Sequence, residues 1–292
     1  MALFSYQLDA TRTRMINAPR FALLDVNGVD AASFLHSQLA CEVRELAHGH
    51  WRFACYCEAD GRVQALMVLA RLSDTQFHLL LPADLADAVR TRLLRYRLRA
   101  RCSIDLHALS LGSAGGQYAI SGAAFEAHWQ AAEADTATTE PELWNRQVAL
   151  GQAWVCAATS GKFLPQMLGY AEIAAFSLRK GCFPGQEIVA RTHYLGRSKR
   201  RLVHATAAEA SVYAEAGSEW IDPALPTVSA VLLGSRCDGT EALLVAPDSI
   251  PVGARLQRAD GATGAGFVID RDYSETKRDA GLNGGPYAVV SA

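Results

Sequence analysis

One segment of this 292-residue chain combines the residue types that chemistry requires: Lys180-Gly181-Cys182-Phe183-Pro184-Gly185-Gln186-Glu187. Pro184 suits the first turn of a helix, because its missing N–H would have no partner there anyway. Cys182 would then precede a helix N-terminus, where exposed N–H groups and the positive end of the helix dipole favour a thiolate. Arg179 and Lys180 act in the same direction. The segment therefore predicts a reactive thiol at Cys182.

Spacing alone also permits a purely structural interpretation. A lone cysteine beside a Gly-Pro turn is more often a structural residue, and Glu187 in the first turn of a helix is more often a helix-start carboxylate. Gly181 and Gly185 favour the functional alternative, since residues without a Cβ let a ligand or another backbone approach the sulfur closely.

The same segment resembles the signature K-G-C-[FY]-x-G-Q-E of the YgfZ family, and residues 180–187 match every fixed position. Val189-Ala190-Arg191 continues the resemblance. Residues 160–166 are similar to a second signature of that family, S-G-x-F-[IL]-P-Q. Residues 34–39 and 57–62 resemble the family's opening helix and hairpin. The resemblance extends over most of the chain and is weakest over residues 110–145.

This resemblance implies a fold and a function. The YgfZ family is related to the glycine-cleavage T-protein, an aminomethyltransferase that uses tetrahydrofolate. The implied fold is α+β and three-lobed, with two ferredoxin-like lobes around a central hole and a C-terminal antiparallel β-barrel. The implied function is to bind tetrahydrofolate or a derivative and to support assembly or repair of iron–sulfur enzymes, including enzymes that thiolate tRNA.

The resemblance also implies which residues act. Cys182 would be the functional thiol; it could ligate an iron–sulfur species transiently, protect a cluster by redox exchange, or react with a folate-borne one-carbon unit. The sequence leaves these three roles open. The residues expected to shape this loop or to bind the folate are Gln38, Lys180, Gly181, Gly185, Gln186, Glu187 and Arg191.

Two stretches depart from the aminomethyltransferases. Their hairpin carries an aspartate near the folate amine, whereas residues 61–72 of this chain contain no carboxylate. A developing positive charge would lack its anionic partner, which argues against aminomethyl transfer. Related proteins often have Glu-Ala-Gly where this chain has Ala149-Leu150-Gly151, so Gln147 or Gln152 would have to replace that carboxylate. A folate-dependent one-carbon transferase remains the alternative function.

Charge and hydropathy narrow the class of protein. The 28 basic residues nearly balance 30 acidic ones, so bulk charge does not hold the chain to nucleic acid or to a membrane. Two basic runs, residues 90–101 and 191–201, leave open an RNA contact, a solvated face, or a pocket rim for the glutamyl carboxylates of folate. No apolar stretch approaches signal-peptide length or the ~20 residues of a membrane span, which predicts a cytoplasmic protein.

The seven cysteines include no C-x-x-C pair, so neither a disulfide framework nor a zinc ribbon fits. A stable [4Fe–4S] cluster usually takes four thiolates, and we expect no permanently bound metal. Apart from Cys182, most of the cysteines should be small buried hydrophobes. Cys55 and Cys57 should share one face of a strand.

Periodicity and turn residues predict the elements that position this loop. Asp30 should cap a helix that runs through Leu39, and a later helix should pass through Phe125 and Trp129. Residues 133–141 should form an exposed connection. We predict an α+β region over residues 1–200 and a β-barrel over 201–292 that contains no helix. The predicted strands are residues 21–24, 51–57, 62–71, 77–81, 104–106, 118–120, 202–205, 228–233, 242–245 and 267–269, with a further helix from 84 to about 96.

Overall fold

The computed structural model describes residues 18–112, 118–120, 127–132, 137–196, 198–209, 211–261, 265–273 and 289–291. Its first part is an antiparallel sheet of eight strands in the order β14-β6-β7-β5-β1-β4-β3-β2. These strands are β1 (Phe21–Asn27), β2 (His50–Cys57), β3 (Val63–Arg71), β4 (Gln76–Pro82), β5 (Ser103–Gly112), β6 (Tyr118–Ile120), β7 (Ala127–Ala132) and β14 (Val289–Ser291).

Four α-helices accompany the strands in the described residues. They are α1 (Ala31–Gln38), α2 (Ala83–Arg97), α3 (Pro141–Ala149) and α4 (Gln186–Leu195), and a 3-10 turn spans Pro165–Leu168. The helix α2 packs on the sheet through Leu85, Val89 and Leu93, which recur at helical spacing and are buried. None of the described helices is long and apolar enough to cross a membrane.

A closed barrel of six strands forms the second part, in the order β10-β11-β8-β13-β12-β9. Closure leaves no unpaired sheet edge. Its strands are β8 (Arg200–Ala207), β9 (Glu219–Ile221), β10 (Ser229–Ser235), β11 (Glu241–Pro247), β12 (Arg255–Arg258) and β13 (Phe267–Asp272). The predicted α+β class and C-terminal barrel are confirmed.

Alternation along the barrel strands explains how the barrel joins the rest of the molecule. Val203 and Leu244 belong to the interior of the barrel, whereas their neighbours Leu202, Leu243 and Val245 belong to the main core. Successive side chains of a strand point to opposite faces, so both faces of these strands are buried. This is why β8 and β11 read as continuous apolar runs in the sequence.

The helix predicted through Phe125 and Trp129 was wrong, and the helix α3 and the short strands β9, β12 and β14 were not predicted. Trp129 lies in strand β7 and pairs with Leu111 of β5, not in a helix; its indole N–H donates to His78 Nδ1 and its ring is buried, so tertiary pairing decides the local structure. Phe125 lies outside the described residues. The helix α3 was not predicted, although Pro141 at its first turn is a helix-start signal.

Asp30 occupies the position before α1 but does not cap it. Its side chain makes no cap hydrogen bond, because the carboxylate accepts from the backbone N–H and the guanidinium of Arg101. This pair ties the start of α1 to the segment before β5, and the pKa of Asp30 is lowered by these bonds. The domain boundary near residue 200 stays a prediction; β14 pairs with β6 in the large sheet.

The barrel interior provides a stability prediction. Phe267 is fully buried and its ring meets Trp220 edge-to-face at 4.9 Å, while Val268, the next residue, is partly exposed. We expect Phe267→Ala to lower the free energy of unfolding by about 3–5 kcal/mol. Val268→Ala should cost less than about 1.5 kcal/mol. Denaturant unfolding of both variants measures the difference, and equal losses would contradict this assignment of the barrel interior.

Candidate functional site

Lys180 anchors the segment that carries Cys182. Its side chain is buried, and its ammonium donates to the backbone carbonyls of His36, Leu39 and Cys41, the last at 3.1 Å. These carbonyls lie at and just beyond the C-terminus of α1, where carbonyl groups lack helical partners and a positive charge is favourable. Burial lowers the pKa of Lys180. The charge of Lys180 is therefore committed to α1, and its role here is to position the loop.

Phe183 is the second inward anchor. Its ring is buried and lies 5.5 Å from the Lys180 ammonium. Between these two anchors, Gly181 and Cys182 are exposed. Buried residues thus flank an exposed pair, and the Cys182 thiol faces solvent.

A tight turn follows Cys182. The N–H of Gln186 donates to the carbonyl of Phe183 at 3.2 Å, and Gly185 has φ 81° and ψ 2°. Proline at the second and glycine at the third position, with these angles, define a type II turn. The helix α4 therefore begins at Gln186, two residues after Pro184. Pro184 lies in the preceding turn, and its predicted place in the first turn of the helix was wrong.

This turn packs against the tip of the β2–β3 hairpin. A Cβ on Gly185 would lie 2.2 Å from the carbonyl oxygen of Glu58 and 2.6 Å from the Cα of Gly61. A Cβ on Gly61 would in turn lie 3.1 Å from the side chain of Ile188 in α4. Two glycines with positive φ thus let two backbones touch, which requires residues without side chains at both positions.

The remaining predicted site residues surround this loop at different depths. The Gln186 amide donates to the carbonyl of Lys180 at 3.4 Å and helps to close the loop. Glu187 and Arg191 are exposed and lie one turn apart on α4. Gln38 ends α1, beside the carbonyls that Lys180 binds; its amide donates to Ser37 at 3.1 Å. Gln38 therefore lies at the C-terminus of α1 and residues 180–187 at the N-terminus of α4, with Arg191 one turn further along that helix.

Most of the cysteines other than Cys182 are buried, as the sequence analysis predicted. Cys182 is exposed and Cys156 is partly buried, while Cys41, Cys55, Cys57, Cys102 and Cys237 are buried. Cys55 and Cys57 share one face of β2, with their sulfur atoms 3.4 Å apart. Burial raises the pKa of Cys41 to about 11, which keeps that thiol neutral. No group of three or more His, Cys, Asp or Glu in the described chain is arranged to hold a metal ion.

A large cavity, here called cavity A, lies where the barrel meets the sheet region. Its volume is about 870 Å³, within the usual range for small-molecule sites. Its lining includes Trp144, Trp154 and Tyr213, and its polar members include Glu215, Ser218, Ser235 and Arg258. The Ser235 hydroxyl is buried and meets no hydrogen-bond partner within the described residues. Cys182 and the other residues predicted for the site do not line this cavity.

Two glutamines next to the walls of cavity A have unsatisfied amides. Gln147 lies one turn after Trp144 and Gln152 two residues before Trp154; both are buried, and the N–H of Gln152 donates to the Gln147 carbonyl at 2.9 Å. Their side-chain oxygen and nitrogen atoms meet no partner in the described part of the chain. Buried polar groups normally find one. Neither glutamine is among the residues that line cavity A.

The basic runs are largely occupied by contacts within the chain. Arg201 is buried and pairs with Asp272, Arg92 pairs with Glu58, and Arg101 pairs with Asp30. Arg90 and Arg97 donate to backbone carbonyls. Arg197 lies outside the described residues. Arg95, Arg99, Arg191 and Lys199 are exposed, so part of each run stays accessible to an anion.

The fold is shared with a solved enzyme. It is similar to glycine cleavage system aminomethyltransferase T of Bartonella henselae, with a TM-score of 0.65 and 16% identity; the match covers 89% of this chain and 86% of that chain. The sequence predicted a T-protein-like fold, and this structural match confirms it.

Curated relatives support the resemblance to the YgfZ family. The tRNA-modifying protein YgfZ of Colwellia psychrerythraea is 25% identical over 230 residues, which cover 65% of this chain and 70% of that protein. An uncharacterized protein of Haemophilus influenzae is 27% identical over 202 residues, which cover 65% of this chain and 72% of that protein. No protein-family profile matches the chain.

The sequence analysis did not identify the barrel residues of cavity A. Tyr213, Ser235 and Arg258 come from three separate segments of the barrel part, and no spacing links them to one another or to Trp154. They come together because the barrel packs against the rest of the chain, including Trp144 of α3.

The glycine contact at the loop provides a prediction. Gly185→Ala places a Cβ at positive φ and against Glu58, so it should destabilise the chain by about 2 kcal/mol or more. Gly181→Ala is the matched control, because nothing lies within 4 Å of the new Cβ; its effect should stay within about 0.5 kcal/mol. Thermal and denaturant unfolding distinguish the two variants. A silent Gly185→Ala would show that the turn does not rest on the hairpin.

Proposed function

We propose that this chain is a YgfZ-type accessory protein that binds tetrahydrofolate or a derivative and supports the assembly or repair of iron–sulfur enzymes through Cys182. The observation that carries the proposal is the exposure of Cys182 between two buried anchors, Lys180 and Phe183. The name of the relative from Colwellia psychrerythraea, a tRNA-modifying protein, supports a link to tRNA modification.

The loop suits a thiol that must meet another macromolecule. The space around Gly181 is open, since nothing lies within 4 Å of its Cβ position, and Cys182 beside it is exposed. Lys180 and the Pro184-Gly185 turn fix the loop on either side. A thiol held on a fixed loop meets its partner at little cost in conformational entropy. The partner in this proposal is an iron–sulfur enzyme or its assembly machinery.

Cavity A would hold the folate. Trp144, Trp154 and Tyr213 offer aromatic surface for the pterin, and the buried Ser235 hydroxyl offers a polar atom that has no hydrogen-bond partner in the described residues. Arg258 also lines the cavity, where its guanidinium pairs with Asp260. Bound tetrahydrofolate would supply a carrier for a one-carbon unit. Because Cys182 does not line cavity A, the thiol and the ligand act at separate places in this proposal.

The structure gives little support to the alternative, an aminomethyl transferase. Ala65 and Leu66 in the hairpin are fully buried, and Gln64 is the polar residue beside them. No carboxylate is available there to stabilise a cationic folate nitrogen. Production of methylenetetrahydrofolate from an aminomethyl donor would revive the transferase, and its absence supports the accessory role. We further propose a cytoplasmic location and a division into an α+β region over residues 1–200 and a β-barrel domain over 201–292, apart from β14, which pairs with β6 in the large sheet.

Filling cavity A tests folate binding. Ala216 lines this cavity, so Ala216→Trp should fill part of it and weaken binding of tetrahydrofolate at least tenfold. Ala224 is exposed and outside the cavity, so Ala224→Trp controls for the added indole. Calorimetric titration of both variants measures the affinities. Unchanged affinity in Ala216→Trp would remove folate from cavity A.

Complementation tests the thiol. In a strain that lacks its own homologue, Cys182→Ser should fail to restore iron–sulfur enzyme activity, because serine cannot supply a thiolate. The same variant should keep its unfolding temperature and its folate affinity, since the side chain is exposed and nearly isosteric. Full rescue by Cys182→Ser would contradict the proposal, whatever the folate affinity.

A further inference from the structure

A second cavity, here called cavity B, lies between the β2–β3 hairpin and α2. Its volume is about 410 Å³. The residues that matter to its chemistry are Tyr56, Gln64, Asp87, Arg92, Arg95 and Ser160. None of them lines cavity A.

Two arginines on α2 give cavity B its positive charge. Arg92 and Arg95 are three residues apart and therefore lie on the same side of the helix. Arg92 pairs with Glu58 through one terminal nitrogen, while its Nε is buried and meets no partner among the described residues. Arg95 is exposed and forms no ion pair with any described residue. Hydrogen-bonding capacity thus remains on both guanidinium groups.

Tyr56 supplies an independent sign of a ligand. Its side chain is 1% exposed, and the hydroxyl lies beside the Arg92 guanidinium, but no hydrogen bond of suitable geometry joins it to a described residue. Burial raises the pKa of Tyr56 to about 12, so at neutral pH the hydroxyl is a proton donor. A buried donor left unsatisfied is costly, and a ligand acceptor in cavity B would remove that cost.

The remaining polar residues also provide donors. The Gln64 amide and the Ser160 hydroxyl line the cavity, and the hydroxyl donates to the Gln64 backbone carbonyl at 2.8 Å. Asp87 is the one carboxylate among the described lining residues, and it is exposed. A lining rich in donors and guanidinium groups complements a ligand with several acceptor oxygens.

We propose that cavity B binds an oxyanion, the phosphate or carboxylate group of a small ligand, between the guanidinium groups of Arg92 and Arg95 and the hydroxyl of Tyr56. The site does not depend on the folate proposal. It lies against the same hairpin that supports the Cys182 loop, because Glu58 holds Arg92 with its side chain and meets Gly185 with its carbonyl.

The test titrates inorganic phosphate and, separately, oligoglutamate into the full chain at constant ionic strength, up to millimolar concentrations. We expect at least one probe to bind. Arg95→Gln should weaken that binding about tenfold, as the loss of a hydrogen bond between charged groups does. Arg99→Gln removes the same charge from an exposed position outside the cavity and should change affinity less than about twofold.

Tyr56→Phe separates binding from folding. The variant should weaken binding about tenfold while the unfolding temperature of the unliganded chain changes little, because the deleted hydroxyl forms no hydrogen bond of suitable geometry with a described residue. Binding of phosphate but not oligoglutamate indicates a phosphorylated ligand, and the reverse indicates a carboxylate such as a glutamyl chain. Failure of both probes to bind, or equal effects of Arg95→Gln and Arg99→Gln, would overturn the proposal.

Discussion

The burial of the Lys180 ammonium in the carbonyl groups at the end of α1 is the interaction on which the candidate site depends. It satisfies backbone acceptors that a helix C-terminus leaves unpaired, and it fixes the loop at one side of Cys182. Phe183 closes over the same ammonium. The cation that the sequence suggested as an electrostatic partner of the thiol is therefore a structural anchor, and exposure of Cys182 follows from the anchoring of its neighbours.

A second constraint connects this loop to the rest of the molecule. The Gly185 turn and the Gly61 hairpin touch through their backbones, and Glu58 continues the contact to Arg92 at cavity B. The segment before the loop is bound to the residues after α1, because the backbone N–H of Ser177 donates to the carbonyl of Ala40. The loop is thus supported by α1, the β2–β3 hairpin and α4 together, and its shape depends on residues far apart in the sequence.

Much of this organisation could be predicted from the sequence, because it has local causes. The apolar run of β3 and the hairpin over residues 57–62 follow from residue type, whereas Pro184 was assigned to the first turn of α4 and lies in the turn before it. Trp129 and Asp30 could not be predicted, since each is decided by a distant partner, Leu111 and Arg101. The role of Lys180 was also hidden. A lysine before a cysteine looks the same in sequence whether it faces the sulfur or, as here, the carbonyls of residues 36–41.

The most direct measurement is the rate at which each cysteine of the native chain reacts with a thiol-alkylating reagent, followed by peptide mass spectrometry. Anchored by Lys180 and Phe183, the loop should expose Cys182 to modification within the folded state. Cys41, Cys55 and Cys57 should react only as fast as the chain unfolds, since they are fully buried. Protection of Cys182 to the same degree as these three would contradict the account.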